Sequence, residues 1–270
     1  MKTQRILHYP GSKWRTADWI INHFPEHETY VELFLGSAAV LCSKERSSIE
    51  TVNDLDGDIV NFFKVIRERP EELACAIKYT PHSREEYYKS YEKCTDELER
   101  ARRLVVRLWQ GRGGKTSHRT GWRSMLENNG PLPAKEWIGF PEKIMAVAER
   151  FQGVQIENQC ALKIIERYSN KKDVLLYADP PYLLSTRTTS SYKHEMTDDQ
   201  HLELLDALDS FQGSVVLSGY ANEMYDTKLQ HWDRYTKKAV AEAGAKREEV
   251  LWVNPHAVAK MKYQQLSLFS

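Results

Sequence analysis

The sequence predicts an α/β fold in which a mostly parallel sheet ends in an antiparallel hairpin and is interrupted by a helical insertion. Three observations support this fold class. Strand-like and helix-like segments alternate in the first 69 residues, the alternation stops over residues 70–169, and it resumes with a fully apolar segment at 173–178. Alternating strands and helices are typical of parallel sheets covered by helices.

The first 69 residues contain one helix followed by two strand–helix pairs. Apolar residues at helical spacing mark the helices, and short apolar runs mark the strands. The predicted elements are a helix over 14–24, a strand over 29–34, a helix over 38–44, a strand over 49–52 and a helix over 57–67 that stops before Pro70.

Residues 70–169 form the predicted insertion. From Glu71 to about Val106 the chain is highly charged and carries apolar residues at helical spacing. Residues 111–141 are rich in Gly, Pro and Asn and are predicted to be loop. An insertion of about one hundred residues lies near the small end of independent domains.

The last part of the chain returns to the alternating pattern. The predicted elements are a strand over 173–178, a helix containing Leu202, Leu205 and Leu208, a strand over 214–217, and two late strands over 232–240 and 247–253 that form a hairpin. The predicted domains are a core of residues 1–69 and 170–260, a helical insertion of residues 70–169 and a C-terminal tail of residues 261–270.

Composition excludes several classes of protein. Of the 270 residues, 41% are hydrophobic and 28% are charged, so a largely disordered chain is not expected. No apolar run approaches the ~18 residues of a membrane span, the N-terminus lacks the apolar region of a signal peptide, and the four cysteines form no Cys-x-x-Cys pair. We therefore expect a cytoplasmic protein with no membrane contact and no metal.

The net charge argues only weakly against a nucleic-acid partner. The 38 basic and 38 acidic side chains cancel, but residues 100–123 carry eight Arg or Lys and no acid. Residues 195–210 carry six acids and no Lys or Arg. Because an average says nothing about distribution, a nucleic acid could still bind to one face of the protein.

The strongest motif is Asp179-Pro180-Pro181-Tyr182, directly after the apolar segment 173–178. Ligands of open α/β sheets bind beyond the carboxyl ends of strands, so a site is expected in this loop. The Asp179 carboxylate and the Pro180 carbonyl can each accept one hydrogen of an exocyclic amino group and so stabilise positive charge on its nitrogen. Pro180 and Pro181 stiffen the loop, and Tyr182 offers a ring on which a flipped base can stack. The alternative is a strand-terminating turn with a partly buried tyrosine.

Other positions suit a nucleotide-like ligand. Phe34-x-Gly36 ends the first strand, where the missing Cβ lets the backbone approach a ligand closely. Asp54 follows Gly36 by 18 residues, close to the spacing of an acid that binds ribose hydroxyls. The alternative for Asp54 is that it caps the helix over 57–67. Lys13, taken without any resemblance to a family, reads as a surface lysine.

The ordered motifs resemble those of the Dam-like DNA adenine methylases (D12 class, alpha group). They are Tyr9-Pro10-Gly11-Ser12-Lys13, Glu32-Leu33-Phe34-Leu35-Gly36-Ser37-Ala38, Asn53-Asp54, an insertion and Asp179-Pro180-Pro181-Tyr182. The resemblance covers about residues 1–68 and 170–255. It implies a Rossmann-like class I methyltransferase core that binds S-adenosylmethionine (SAM), and an insertion that recognises the DNA target. The family usually has a second glycine where Ala38 stands, so a slightly different turn is expected there.

The resemblance also implies roles for single residues. Asp54 would contact the SAM ribose, Tyr9 and Lys13 would contact other parts of SAM, and Asp179 would contact both SAM and the base. The complete set of predicted cofactor-binding residues is Tyr9, Lys13, Phe34, Gly36, Asp54 and Asp179.

The insertion carries the predicted DNA contacts. Gly111-Arg112-Gly113-Gly114-Lys115 is a flexible basic loop suited to phosphates or base edges, and an aromatic residue with further cations follows it. The predicted contacts are Arg112, Lys115, Arg119, Trp122 and Arg123. The alternative is a solvated basic face that is neutralised by the acidic segment 85–99.

Two further segments are predicted to have roles of their own. Residues 183–199 are expected to be either a lid that orders when DNA binds or a plain surface connection. The tail resembles the pentapeptide that binds the bacterial DNA polymerase sliding clamp. The alternative is that the tail packs on the protein's own core. Its predicted anchors are Gln265, Leu266, Leu268 and Phe269.

Together these patterns predict a SAM-dependent enzyme that methylates N6 of an adenine flipped out of double-stranded DNA. A bacterial or phage-encoded protein associated with the nucleoid is expected. N4-cytosine methylation, RNA adenine methylation and an inactive DNA- or clamp-binding protein remain alternatives. The target sequence, a restriction partner and the oligomeric state are not predicted.

Overall fold

The computed structural model describes residues 5–124, 133–186, 190–240 and 246–267, and these contain a seven-stranded sheet. The strands are β1 (Thr29–Glu32), β2 (Ile49–Asn53), β3 (Gln155–Glu157), β4 (Val174–Ala178), β5 (Ser214–Tyr220), β6 (Asp233–Val240) and β7 (Lys246–Val253). Their order across the sheet is β3-β2-β1-β4-β5-β7-β6.

The sheet is mostly parallel, as predicted. The five strands from β3 to β5 pair in parallel, whereas β7 pairs antiparallel with both β5 and β6. The predicted late hairpin is therefore confirmed as β6 and β7. β3 was not predicted: it is only three residues long and lies inside the range expected to be helical, but it extends the sheet beside β2.

Helices cover both faces of the sheet. They are α1 (Ala17–Ile21), α2 (Ala39–Ser43), α3 (Gly57–Glu68), α4 (Pro70–Lys78), α5 (Arg84–Lys89), α6 (Glu97–Gln110), α7 (Pro133–Ile138), α8 (Phe140–Phe151), α9 (Ala161–Tyr168), α10 (Asp198–Asp209), α11 (Glu223–Lys228) and α12 (Pro255–Ser267).

Alternating side chains of the central strands enter two separate apolar clusters. Tyr30 packs in the first cluster and Val31 in the second, and Leu175 and Leu176 divide in the same way. Successive side chains of a strand point to opposite faces, so this division means that both faces of the sheet are buried. Buried parallel strands explain why 173–178 is apolar without alternation.

The prediction that residues 111–141 are all loop is wrong at its C-terminal end. Helix α7 begins at Pro133, and α8 begins at Phe140 with Pro141 in its first turn. Proline favours the first turn of a helix, because the missing N–H would be unpaired there in any case. The prolines that suggested a loop therefore mark two helix starts, while residues 125–132 lie outside the described part of the chain.

The helices between β2 and β3 share one apolar core with the sheet. The first cluster joins Tyr30 of β1 to Phe62 of α3, Leu73 of α4, Leu104 of α6 and Ile144 of α8. The insertion expected over 70–169 is thus packed against the core, and its last part returns to the sheet as β3 and α9. No helix among the described residues is long and apolar enough to cross a membrane.

Candidate active site

A large cavity opens at the carboxyl ends of β1, β2 and β4. The chain order reverses between β1 and β4, which is the topological switch point where open α/β sheets bind ligands. All six residues that the sequence suggested for cofactor binding line this cavity. They are Tyr9, Lys13, Phe34, Gly36, Asp54 and Asp179.

Asp54 is held at the end of β2 by backbone amides. Its Oδ2 accepts from Gly36 N at 2.8 Å, and its Oδ1 accepts from Asp56 N at 2.9 Å. Burial nevertheless raises the pKa of Asp54 to about 6. The cap of α3 is Asp56, whose side chain accepts from Asp58 N, so the alternative that Asp54 is the helix cap is excluded.

Gly36 leaves space that a side chain would fill. Its φ is +49°, a conformation that glycine adopts without strain, and a Cβ there would lie 3.1 Å from the Tyr9 ring. Ala38, where the family usually has glycine, takes a φ of +55° and is buried at the start of α2. The turn expected to differ therefore keeps a glycine-like backbone, at a cost of about 1–2 kcal/mol for an alanine in this region.

The Asp-Pro-Pro-Tyr loop separates two cavities at the end of β4. Asp179 and Pro181 line the large cavity, whereas Pro180 and Tyr182 line a small neighbouring cavity beside β5. The Asp179 carboxylate accepts from Ser218 Oγ at 2.8 Å and lies 2.9 Å from Lys13 Nζ. Burial raises the pKa of Asp179, and the Lys13 ammonium opposes that shift.

Lys13 is a buried residue of the site rather than a surface lysine. Only 4% of its side chain is exposed, and its ammonium contacts Asp179, the Tyr182 hydroxyl and Glu249. Burial alone would lower the pKa of Lys13, but the two carboxylates raise it well above its ordinary value. Lys13 thus stays charged and joins the N-terminal loop to the Asp-Pro-Pro-Tyr loop.

Tyr182 does not present an open ring for stacking. Its ring lies against that of Tyr220, with centroids 4.1 Å apart and planes 25° apart. Tyr220 is the last residue of β5, and no motif in the sequence pointed to it. A base that stacks on this face of Tyr182 would have to take the place of Tyr220, because the two rings are already in contact.

Glu32 is a second residue that sequence reasoning missed, although it is the last residue of β1 and the first of the quoted motif. Its Oε2 accepts from Tyr30 Oη at 2.8 Å and from Leu41 N at 3.1 Å, and the residue lines the large cavity. Burial raises the pKa of Glu32 to about 8. The available signal was an acidic residue within the apolar run of residues 30–34.

The family model for the D12 class N6 adenine-specific DNA methyltransferases matches residues 9–243. This range covers most of the chain and runs from Tyr9 in the N-terminal loop past the Asp-Pro-Pro-Tyr loop. The chain belongs to this family. It is therefore an enzyme that methylates adenine in DNA, and its sheet with flanking helices is a Rossmann-like methyltransferase core.

A segment of this methyltransferase between β4 and α10 also lines the large cavity. Tyr192 and Glu195 line the cavity, and Glu195 Oε1 accepts from the backbone amides of Ser191 and Tyr192. Lys193 Nζ lies 2.9 Å from Asp56 Oδ1. Residues 190–196, called the lid below, therefore contact both the large cavity and Asp56, and their ordering on DNA binding stays a prediction. Residues 187–189 lie outside the described part of the chain.

The basic stretch of residues 100–123 divides into two parts. The arginines of α6 are paired with acids: Arg100 and Arg107 with Asp58, Arg102 with Glu86 and Glu99, and Arg103 with Glu99. The alternative of a basic face neutralised by the segment 85–99 therefore holds for Arg102 and Arg103, whereas the other two arginines are neutralised by Asp58 of α3. The five predicted DNA contacts all come after this helix.

The loop after α6 is closed at its base and exposed at its tip. A β-bridge joins Gly111 to Trp122, and Arg112 N donates to Gly121 O at 3.0 Å. Arg112 and Arg119 are exposed, and the Arg119 guanidinium lies over the Tyr88 ring. Lys115 is half-buried in the same loop.

Two of the predicted DNA contacts have partners within the protein. The Trp122 ring packs 5.3 Å from that of His82 and beneath the Arg84 guanidinium, and Arg123 Nη1 lies 3.4 Å from Glu136 Oε2. These contacts favour a role in holding the loop for Trp122 and Arg123.

The predicted C-terminal tail of residues 261–270 is helical over the part that the structure describes. Residues 261–267 belong to α12, which extends from Pro255 to Ser267. Among the four predicted clamp anchors, Leu268 and Phe269 lie outside the described residues, and Gln265 and Leu266 are in the last turn of the helix.

Proposed function

We propose that this adenine methyltransferase takes its methyl group from SAM and acts on an adenine that has left the DNA duplex. One observation carries the proposal: the Asp-Pro-Pro-Tyr loop lies between two cavities, with Asp179 on the larger, of about 190 Å³, and Pro180 on the smaller, whose volume of about 10 Å³ admits a base only once Tyr220 has moved. A loop in this position can contact a cofactor on one side and a base on the other.

The large cavity suits SAM by the chemistry of its lining. Asp54 offers carboxylate oxygens for the ribose hydroxyls, and Gly36 leaves the backbone accessible beside Tyr9. Asp179 supplies a further buried acid, which suits a ligand that carries positive charge, and Glu32 lines the same cavity. When bound, SAM supplies a methyl group on a cationic sulfur.

The chain's own residues then provide positioning and charge stabilisation. The Asp179 carboxylate and the Pro180 carbonyl accept the two amino hydrogens of adenine and stabilise the positive charge that develops on N6. Ser218 and Lys13 hold the Asp179 carboxylate in place through its Oδ1 atom. In this proposal Tyr220 moves aside and the adenine ring stacks on Tyr182 in its place.

DNA contact is proposed for the loop that follows α6. Arg112, Lys115 and Arg119 lie on a loop whose Gly114 packs against the backbone of His8, next to Tyr9 of the cofactor site. Cations beside the active site can hold the phosphates that flank the target base. The same loop is bonded to the lid, since Thr116 N donates to Ser191 O at 3.0 Å.

A methyl-transfer assay tests the proposal. With tritium-labelled SAM and mixed duplex DNA, the wild-type protein should form N6-methyladenine, identified by chromatography of the nucleosides. Asp179→Ala should reduce transfer by about 100- to 1000-fold or more, whereas Asp173→Ala, an exposed change at the other end of β4, should not.

Several outcomes would contradict the proposal. Formation of N4-methylcytosine, or transfer to RNA alone, would overturn the assigned substrate. Tight binding of SAM without any transfer would indicate an inactive DNA-binding protein, and full activity of Asp179→Ala would refute the role of this carboxylate.

Binding of residues 265–269 to a sliding clamp remains a prediction from the sequence. Deletion of residues 265–270 should abolish co-purification with the purified clamp and leave methylation of short duplexes unchanged. Unchanged co-purification would end this hypothesis.

A further inference from the structure

Glu249 is a buried acid that faces the methyl-transfer site from β7. Its residue is 8% exposed, and in the antiparallel register it lies opposite Tyr220 of β5. Its neighbour Glu248 points to the other face of the sheet, where its side chain is 47% exposed and lies near Arg234. Burial of a glutamate carboxylate costs free energy unless the carboxylate has partners of opposite charge or hydrogen-bond donors.

Both oxygens of Glu249 have such partners. Oε2 lies 3.4 Å from Lys13 Nζ, and Oε1 accepts from Tyr182 Oη at 3.3 Å. Lys13 Nζ also lies 2.9 Å from Asp179 Oδ1. The lysine ammonium therefore lies between two carboxylates, one on the Asp-Pro-Pro-Tyr loop and one on β7.

The charges of these three groups decide how well Asp179 can serve the reaction. The Lys13 ammonium fixes the Asp179 carboxylate, but it also cancels the negative charge that should face the amino group of the base. With Glu249 the group carries one net negative charge, whereas without it the group would be neutral. A neutral group stabilises a developing cation less well.

We propose that Glu249 is a positioning residue for methyl transfer, which offsets the charge of Lys13 and orients Tyr182 through its hydroxyl. Glu249 acts through these two residues and does not touch the base. The proposal rests on the proposed role of Asp179 in holding the target amino group.

A change in the pH profile would separate this role from a purely structural one. Glu249 raises the pKa of Asp179, because a second negative charge disfavours ionisation. Removing that charge should lower the pKa of Asp179. The acid limb of the kcat profile should therefore move to lower pH, while the maximal kcat falls.

The experiment compares Glu249→Gln with Glu248→Gln, a matched control on the same strand. Glu249→Gln should lower kcat by about 10- to 100-fold, as expected when a supporting group is removed. The Kd of SAM measured by calorimetry should change by less than about twofold, and the acid limb should shift to lower pH. Glu248→Gln should match the wild type, and Glu249→Asp, which keeps the charge, should restore the position of the acid limb.

The possible failures are distinguishable. If the wild type methylates adenine and Asp179→Ala does not, but Glu249→Gln keeps the wild-type kcat and acid limb, the role of Glu249 is refuted and the proposed function stands. If Asp179→Ala is fully active, the proposed function itself fails. If Glu249→Gln does not fold, Lys13→Met tests the same charge balance: without the ammonium the Asp179 carboxylate faces Glu249 alone, so the acid limb should move to higher pH, and an unchanged acid limb would refute the proposal.

Discussion

Carboxylates in this active site differ in pKa because their surroundings differ. Asp54 accepts two backbone N–H groups and yet has its pKa raised to about 6 by burial. Glu32 is buried more deeply, and its pKa is raised to about 8. At neutral pH Asp54 is therefore mostly ionised, whereas Glu32 is mostly protonated in the free protein.

Affinity for SAM should depend on pH through Asp54. Because burial raises its pKa, ionising this residue in the free protein costs stability as the pH rises through about 6. Ribose hydroxyls that donate to the carboxylate would favour the ionised form. The Kd of SAM should thus rise as the pH falls below 6, approaching about tenfold for each unit.

Calorimetry between pH 5 and pH 8 measures this dependence. Asp54→Asn should weaken binding by about tenfold at pH 7.5 and should flatten its dependence on pH. Asp173→Asn, an exposed change at the amino end of β4, should keep the wild-type profile. A wild-type pH profile in Asp54→Asn would contradict the role of this carboxylate.

At the level of secondary structure, the loop after α6 and the lid form one connected surface beside the cofactor cavity. Thr116 Oγ1 accepts from Lys193 N at 3.0 Å, and Ser117 Oγ donates to Ser190 O at 3.2 Å. Lys193 in turn bridges to Asp56 at the start of α3. Contact of the loop with DNA would therefore also act on the lid.

The division of the basic stretch predicts different effects for arginines only nine positions apart. Arg112→Ala on the exposed loop should weaken DNA binding and reduce the slope of log K against log salt by about 1, because one phosphate contact is lost. Arg103→Ala should leave the slope unchanged, since this arginine is paired with Glu99.

Fluorescence anisotropy with a labelled duplex at several salt concentrations measures both slopes. Equal losses of slope in Arg112→Ala and Arg103→Ala would contradict the assignment of DNA contact to the loop.

The two apolar clusters show on which face of the sheet each charged helix lies. Helix α6 packs on the first cluster through Leu104, and the acid-rich helix α10 packs on the second through Leu204. The two helices therefore lie on opposite faces of the sheet. A net charge of zero is thus compatible with a basic loop that is confined to one face.

The shared core predicts that the sheet and the helices of the insertion unfold together. Leu104 is 3% exposed in the cluster that also contains Tyr30 and Leu175 of the sheet. Leu104→Ala should cost about 2–5 kcal/mol and lower the midpoint of a single transition. Leu202→Ala, at a position that is 37% exposed, should have a small effect.

Differential scanning calorimetry with near- and far-ultraviolet circular dichroism tests this prediction. Two separate transitions, of which only one is shifted by Leu104→Ala, would show that the insertion folds on its own.

The sequence by itself determined the family, the order of the main elements and six of the residues that line the large cavity. Ordered motifs identify strand ends, and strand ends of a parallel sheet converge at one edge, so Tyr9, Gly36, Asp54 and Asp179 could be grouped in advance. Apolar runs also predicted β4 and β5, because strands that are buried on both faces of a sheet need no alternation of polar and apolar residues.

Tertiary structure decided what depends on contacts between distant segments. The pairing of Lys13 with Glu249, separated by more than two hundred positions, has no local pattern, because charged residues on a loop and on a strand resemble surface residues until the fold buries them. The same holds for Tyr220 against Tyr182 and for β3, whose three residues are strand only because β2 lies beside them. Local spacing encodes secondary structure, whereas burial and electrostatic partners arise only when the chain folds back on itself.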